Sequence, residues 1–127
     1  MTDNTNNRRS WMIVSAHDAA ALARCADIKP DVVVLDLEYT VPPKAKAAAR
    51  EGLTAVIQKL ADSQVEVFVR IDRDTRWADV RAAVTRGIRG IVFPGADSTD
   101  EVAEVGELIT AIERERGVEP GATELVL

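Results

Sequence analysis

The sequence predicts an α/β fold in which five parallel strands alternate with four helices. Short apolar runs rich in β-branched residues recur along the chain, as is typical of strands buried on both faces. Longer segments between them carry apolar residues at helical spacing. The connections have the length expected of right-handed crossovers between parallel strands.

The first part of the chain predicts a flexible tail followed by a strand and a helix. Residues 1–8 are mostly polar, without an apolar pattern. Residues 11–14 form a short apolar strand, and Asp18 is suited to cap the helix that follows. Pro30 lies just beyond the end of that helix. The helix is rich in Ala and Leu, so we predict that Cys25 is a small core residue.

The second strand, within residues 32–38, carries polar residues only near its carboxyl end. Because side chains alternate along a strand, Asp36 and Glu38 point to the same face. Pro43 suits the first position of a helix, which we predict over residues 44–61. Lys44, Lys46 and Arg50 in its first turns are interpreted as a solvated face; the alternative is that they meet an anionic substrate tail at the barrel mouth.

The third strand, residues 65–72, has one fully apolar face and one partly polar face that includes Arg70. The apolar face therefore needs helices to cover it, whereas the partly polar face is suited to a partly polar interior. A third helix over residues 77–85 is closed by Gly87, and residues 90–93 form the fourth strand.

The last segment predicts a half-barrel. Ser98 and Glu101 have the spacing of a capping box, Gly117 ends the helix, and residues 123–127 begin a fifth strand. An apolar strand at the end of the chain leaves a sheet edge unprotected. We therefore predict that residues 9–127 form the amino-terminal half of a TIM (β/α)8 barrel, truncated or completed by association. The alternative is a five-stranded doubly wound sheet.

Composition excludes several function classes. The formal charge is −5 and no dense basic cluster is present, so we expect no nucleic-acid partner. No apolar run is long enough for a signal peptide or a membrane anchor, so we expect no membrane partner. One cysteine excludes an internal disulfide and favours the reducing cytoplasm.

The candidate chemistry lies where strands two and three end. Active sites of β/α barrels occupy that edge. Arg70 is suited to bind a carboxylate with two hydrogen bonds, opposite Asp36 and Glu38. The alternative is an internal ion pair that only neutralises buried charge. His17 follows strand one and is interpreted as a surface residue.

Four sequence blocks resemble the amino-terminal half of the HpcH/HpaI aldolase and citrate lyase β-subunit family. They occur in the family's order and spacing, and the likeness extends from about residue 9 to the last residue. The blocks are RSWMIVSAHD (9–18), DVVVLDLEYTVPPKAKAAAR (31–50), VFVRID (67–72) and GIRGIVFPGADS (87–98).

The resemblance implies the barrel of phosphoenolpyruvate- and pyruvate-binding enzymes. It also implies Mg²⁺-dependent, reversible carbon–carbon cleavage of a 3-hydroxy acid or its CoA thioester, such as citryl-CoA or malyl-CoA, in a homo-oligomer. By resemblance, Arg70 binds the substrate carboxylate, Asp36 and Glu38 lie beside the metal as water-holding or supporting groups, and Arg24 contacts CoA. The metal-ligating glutamate and aspartate of the family would lie beyond Leu127, so we expect this chain alone to have no metal site and no activity.

The chain departs from the family pattern at three places, which leaves the substrate and the use of CoA open. Tyr39 occupies the position of a usual aspartate, Gly95 that of a common lysine, and residues 14–16 (VSA) that of a VPG loop. One alternative is a non-catalytic half-barrel that assembles with itself or a second chain. The other is a receiver-like phosphoacceptor domain, suggested by PDVVVLDL.

Overall fold

The computed structural model describes residues 8–127, so residues 1–7 of the predicted tail lie outside the described residues. Within 8–127, five strands alternate with four α-helices. The strands are β1 (Trp11–Ser15), β2 (Val32–Asp36), β3 (Glu66–Arg70), β4 (Ile88–Val92) and β5 (Glu124–Val126). The helices are α1 (Ala19–Ile28), α2 (Lys46–Asp62), α3 (Arg76–Ala83) and α4 (Thr99–Arg116).

The strand order decides between the two predicted architectures. All strands are parallel and lie in the order β1-β2-β3-β4-β5. In a doubly wound sheet the strand order reverses at a switch point, and helices cover both faces. This sheet has no reversal, as in one half of a β/α barrel. The prediction of a barrel half is confirmed, and the doubly wound alternative is wrong. The receiver alternative is wrong as well, since it requires the doubly wound order.

The helices cover one face of the sheet. The main core joins that face to the helices, with Val67 and Val69 of β3 packed among apolar residues of α2, α3 and α4. The opposite face, here called the inner face, carries a small apolar cluster of Val32, Val34 and Phe68. The predicted alternation of an apolar face and a partly polar face along β3 is therefore confirmed.

The helix ends agree only in part with those predicted from the sequence. The caps at Asp18 and Gly117 are confirmed, because the Asp18 side chain accepts a hydrogen bond from the Ala21 amide at 3.0 Å and Gly117 ends α4 with a φ of 68°. The predicted closure of the third helix by Gly87 is wrong, since α3 ends at Ala83 with Val84 as its C-cap. The second helix was predicted from about residue 44, two residues before the α-helix starts. Residues 43–45 form a 3₁₀ turn, so the α-helix begins at Lys46.

The amino-terminal edge of the inner face is closed by charge pairs and close packing. Arg8 pairs with Glu66 and Glu124, and its guanidinium lies 5.2 Å from the centroid of the Phe68 ring. A Cβ added to Gly90 would lie 2.5 Å from that ring. Glycine at this position therefore lets β4 approach Phe68. Among residues 8–127, no helix is long and apolar enough to cross a bilayer.

Candidate active site

Asp36 and Arg70 are neighbours on adjacent strands. Parallel pairing places Asp36 of β2 beside Arg70 of β3, and both are the last residues of their strands. The Arg70 Nε donates a hydrogen bond to Asp36 Oδ1 at 2.9 Å. The Asp36 side chain is fully buried, whereas that of Arg70 is 19% exposed. The predicted juxtaposition is present, with the guanidinium at the open edge and the acid behind it.

Asp36 also organises the loop that follows β2. Its Oδ1 accepts from the Glu38 amide at 2.9 Å, and its Oδ2 accepts from the amides of Tyr39 and Thr40 and from the Thr40 hydroxyl at 2.8–3.1 Å. Burial opposes ionisation, but the hydrogen bonds from Arg70, Glu38 and Thr40 outweigh it and lower the pKa of Asp36 to about 2. Asp36 is therefore ionised at neutral pH, with both oxygens occupied by donors.

Glu38 is the acid whose charge is less well compensated. Its side chain is 14% exposed, and Oε1 is buried without a hydrogen-bond partner among residues 8–127. Oε1 lies 3.8 Å from the Arg70 Nε, which is an ion-pair distance and too long for a hydrogen bond. Burial raises the pKa of Glu38; Arg70 opposes that effect, and the charges of Asp36 and Asp72 add to it. Glu38 is thus the carboxylate prepared to accept a hydrogen bond or a proton.

Arg70 keeps one edge open. Its Nε is occupied by Asp36, and its guanidinium carbon lies 5.1 Å from the centroid of the Tyr39 ring. Within residues 8–127, neither terminal nitrogen of Arg70 donates a hydrogen bond. Because a guanidinium binds a carboxylate best through two parallel N–H donors, this free edge is suited to a small carboxylic acid.

A second charged network supports the loop after β3. Lys46 is 6% exposed and pairs with Asp72. Fully buried Asp79 accepts from the Asp72 amide at 2.9 Å, the Thr75 hydroxyl at 3.0 Å and Arg50 Nη1 at 2.9 Å. Although burial opposes it, the pair with Lys46 lowers the pKa of Asp72.

This network corrects the interpretation of the basic residues in α2 as a solvated face. Lys46 and Arg50 point towards the loop after β3, where they compensate two acids. The sequence signal was weak. Asp72 and Asp79 are seven residues apart, and nothing in their spacing relates them to α2.

The other predicted site residue, Arg24, lies apart from this edge, on the exposed side of α1 in the helix layer. His17 follows the end of β1 at the same edge of the sheet, and it is exposed, as interpreted, with its amide donating to the Ser15 hydroxyl. The structure therefore brings Asp36, Glu38 and Arg70 together, but not Arg24.

Residues 8–127 do not by themselves fit a Mg²⁺ ion. No group of three acidic, His or Cys side chains within them is arranged to hold a metal. Both oxygens of Asp36 already accept hydrogen bonds, so Glu38 is the acid of this pair that has an unpartnered oxygen, Oε1. Mg²⁺ needs near-octahedral oxygen ligands, more than this oxygen supplies.

The fold and the strand-end residues define the amino-terminal half of a β/α-barrel protein. More specifically, the chain belongs to the HpcH/HpaI aldolase/citrate lyase family, whose model matches residues 9–127. It is 30% identical over 122 residues to the citrate lyase β subunit of Haemophilus influenzae, covering 94% of this chain and 42% of that protein. It is 30% identical over 125 residues to the Escherichia coli K12 subunit, covering 96% of this chain and 41% of that one. The chain thus spans about two fifths of these relatives.

Solved structures show the same fold. A Haloferax volcanii malate synthase in a magnesium/glyoxylate complex superposes with a TM-score of 0.80 at 21% identity, covering 92% of this chain and 41% of that chain. CitE of Mycobacterium tuberculosis, complexed with the triphosphate group of ATP, gives a TM-score of 0.58 at 25% identity, covering 95% and 59%. Both comparisons place this sheet within a larger barrel-like fold.

Proposed function

We propose that this chain supplies the carboxylate-binding half of the active site of a carbon–carbon lyase of the citrate lyase β-subunit type. The reaction is reversible cleavage of a 3-hydroxy acid or its CoA thioester, such as citryl-CoA or malyl-CoA, into a 2-oxo acid and an acyl product. The observation that carries this proposal is the free edge of Arg70. Family membership supports the reaction type.

Each residue of the edge has a role in this proposal. The terminal nitrogens of Arg70 bind the carboxylate of the 2-oxo acid and orient the carbon–carbon bond that breaks. Asp36 holds the guanidinium in place through Nε, so that binding does not have to order it. Glu38 holds a proton or a water beside the reacting group, which its uncompensated Oε1 favours.

The complete protein is proposed to use Mg²⁺, which would stabilise the negative charge that develops on oxygen during cleavage. The magnesium/glyoxylate complex of the Haloferax malate synthase supports this choice of ion. Because residues 8–127 do not fit the ion, no step is assigned to it. We also propose a CoA contact at Arg24, a cytoplasmic location and a homo-oligomer. We also propose that neither a membrane nor a nucleic acid is a partner.

Saturation-transfer NMR tests the proposed role of Arg70. With the 127-residue chain and pyruvate, the methyl signal of pyruvate should show transfer that Arg70→Gln abolishes. Arg76→Gln is the matched control, because Arg76 lies on α3 with its guanidinium over Trp77. No transfer with the original chain, or transfer that survives in Arg70→Gln, would contradict the proposal.

A second candidate function is a non-catalytic half-barrel that assembles with itself or a second chain. It is favoured by two large apolar side chains of β1 that are only partly covered, since Trp11 is 48% and Ile13 57% exposed. Light scattering should then show a dimer that Ile13→Ser weakens. A monomer at high concentration would exclude self-assembly.

A further inference from the structure

We propose that Lys46 and Asp72 are positioning residues of the candidate active site. Lys46 holds the Asp72 carboxylate beside Glu38, and the balance of these two charges controls whether Glu38 carries a proton. The inference rests on the proposed function, because Glu38 is the acid to which that proposal gives a proton or a water beside the reacting group. It adds two residues that act through Glu38 and not on the substrate.

Glu38 and Asp72 are neighbours at the strand-end edge. β2 and β3 pair in register up to Asp36 and Arg70, and the pairing continues past the strands, because the Leu37 amide donates to the Arg70 carbonyl at 2.9 Å. Glu38 and Asp72 each lie two residues beyond that pair. Because side chains alternate along neighbouring strands, both are directed to the side of the sheet that carries Asp36 and Arg70.

Asp72 is fixed in this position by groups from three elements. Its Oδ2 pairs with the ammonium of Lys46 on α2, and its Oδ1 accepts from the Asp74 amide at 2.9 Å in the same loop. Its own amide donates to the Asp79 carboxylate of α3 at 2.9 Å. Lys46 is buried and pairs with no other acid among residues 8–127. Lys46 and Asp72 therefore form one unit, in which each charge offsets the other.

Glu38 is the acid of this edge that takes up a proton first as the pH falls. The pKa of Asp36 is about 2. Burial opposes ionisation of Asp72, but the Lys46 ammonium and the Asp74 amide outweigh it and lower its pKa. Burial raises the pKa of Glu38, and the charge of Asp72 adds to that effect. Asp72 is thus still charged when Glu38 titrates.

Other charged and titratable groups face Glu38 as well, and none of them is changed in the variants below. Arg70 of β3 and the Tyr39 side chain favour the charged form of Glu38, whereas Asp36 of β2 opposes it. His17, in the loop after β1, is exposed at the same edge of the sheet. It is the one histidine of the sequence, so its ring signals report its own titration separately.

Carbon-13 NMR of the glutamate side chains measures proton uptake directly. The Glu38 carboxyl signal of the 127-residue chain, assigned by its loss in Glu38→Gln, is followed against pH without ligand. Lys46→Met should raise the midpoint of the Glu38 titration, because the charge of Asp72 is then uncompensated. Asp72→Asn should lower the midpoint, because the charge of Lys46 then remains alone. We expect each shift to be about 0.5–1 pH unit, as for neighbouring charges near a protein surface.

Three further variants separate charge from structural support. The double variant Lys46→Met/Asp72→Asn should give a midpoint between those of the two single variants, and Lys46→Arg should stay close to the original chain. Asp74→Asn is the matched control, because it removes an exposed acid from the same loop, and it should leave the midpoint unchanged. A purely structural role would not give shifts of opposite sign, because both single substitutions break the same ion pair.

The outcomes distinguish this inference from the proposed function. Shifts of the same sign in the two single variants, or no shift in either, would overturn the inference. If Lys46→Met does not fold, Asp72→Asn decides, and an unchanged or raised midpoint in that variant overturns it. Because the titration needs no ligand, opposite shifts in a chain that shows no saturation transfer to pyruvate would refute the proposed function and leave the control of Glu38 standing.

Discussion

Replacing Asp36 with asparagine removes the charge that organises the end of β2 while keeping the size of the side chain. The amide can accept through one oxygen only, whereas four N–H or O–H donors from the loop and one from Arg70 converge on the two carboxylate oxygens. Removing one partner of a buried ion pair costs about 3–5 kcal/mol. Because Arg70 is 19% exposed, we expect the lower end, about 3 kcal/mol.

The pH dependence of unfolding gives a second, independent value for the stability that the Asp36 charge contributes. The pKa of Asp36 is lowered from its ordinary value of 3.8 to about 2, which corresponds to roughly 2 kcal/mol of stability from ionisation. For an acid with a lowered pKa, that stability is present above the unfolded-state pKa and is lost as the pH falls through the folded-state value. The original chain should therefore lose it between about pH 4 and pH 2, and Asp36→Asn should not.

The assay is urea unfolding followed by tryptophan fluorescence at pH 7 and at several values from pH 5 to pH 2. Asp97→Asn is the matched control. Its side chain is 70% exposed, so the free energy of unfolding should change by less than about 0.5 kcal/mol. The reasoning is refuted if Asp36→Asn changes stability at pH 7 as little as the control does. It is also refuted if the difference from the original chain stays constant down to pH 2.

Three further predictions concern the inner face and its edge. Burial raises the pKa of Glu38 from 4.5, so its charge costs stability at neutral pH; Glu38→Gln should stabilise the fold at pH 7, with the gain disappearing below pH 4.5 in urea unfolding. Gly90→Ala places a Cβ 2.5 Å from the Phe68 ring and should destabilise the fold by about 1–3 kcal/mol. Gly106→Ala is the control in α4, where a Cβ meets nothing within 4 Å, and it should stabilise the fold by about 0.5–1 kcal/mol. Thermal melts in which both variants shift the Tm in the same direction would contradict this packing argument. Mg²⁺ with oxaloacetate should raise the Tm of the chain by less than about 2 °C, since Arg70 and Glu38 do not complete a metal site, and a larger metal-dependent rise would show that they do.

The pairing at the centre of the site was predictable from the sequence. Alternation placed Asp36 and Arg70 on the face opposite the apolar residues that pack against helices. Consecutive strands of a βαβ unit commonly lie side by side, and parallel strands end at the same edge. These two rules bring the residues together without any knowledge of the loops. The ion pair considered as an alternative is also present, and the two interpretations are compatible because Nε pairs with Asp36 while the terminal nitrogens stay open.

The supporting contacts were not predictable, for a physical reason. Lys46, the first residue of α2 after a 3₁₀ turn, pairs with Asp72 in the loop after β3. Helical periodicity distinguishes apolar from polar positions, but it does not distinguish a lysine in water from a lysine over a neighbouring loop. The position of Tyr39 over Arg70 likewise depends on a loop conformation that hydrogen bonds to Asp36 determine.

A crystal structure of the 127-residue chain soaked with glyoxylate tests the account most directly. The account predicts the glyoxylate carboxylate on the two terminal nitrogens of Arg70, with the Nε–Asp36 hydrogen bond kept and the Tyr39 ring beside the ligand. A carboxylate bound elsewhere, or one that reaches Arg70 only after the guanidinium leaves Asp36, would contradict the claim that the ends of β2 and β3 form a prepared carboxylate site.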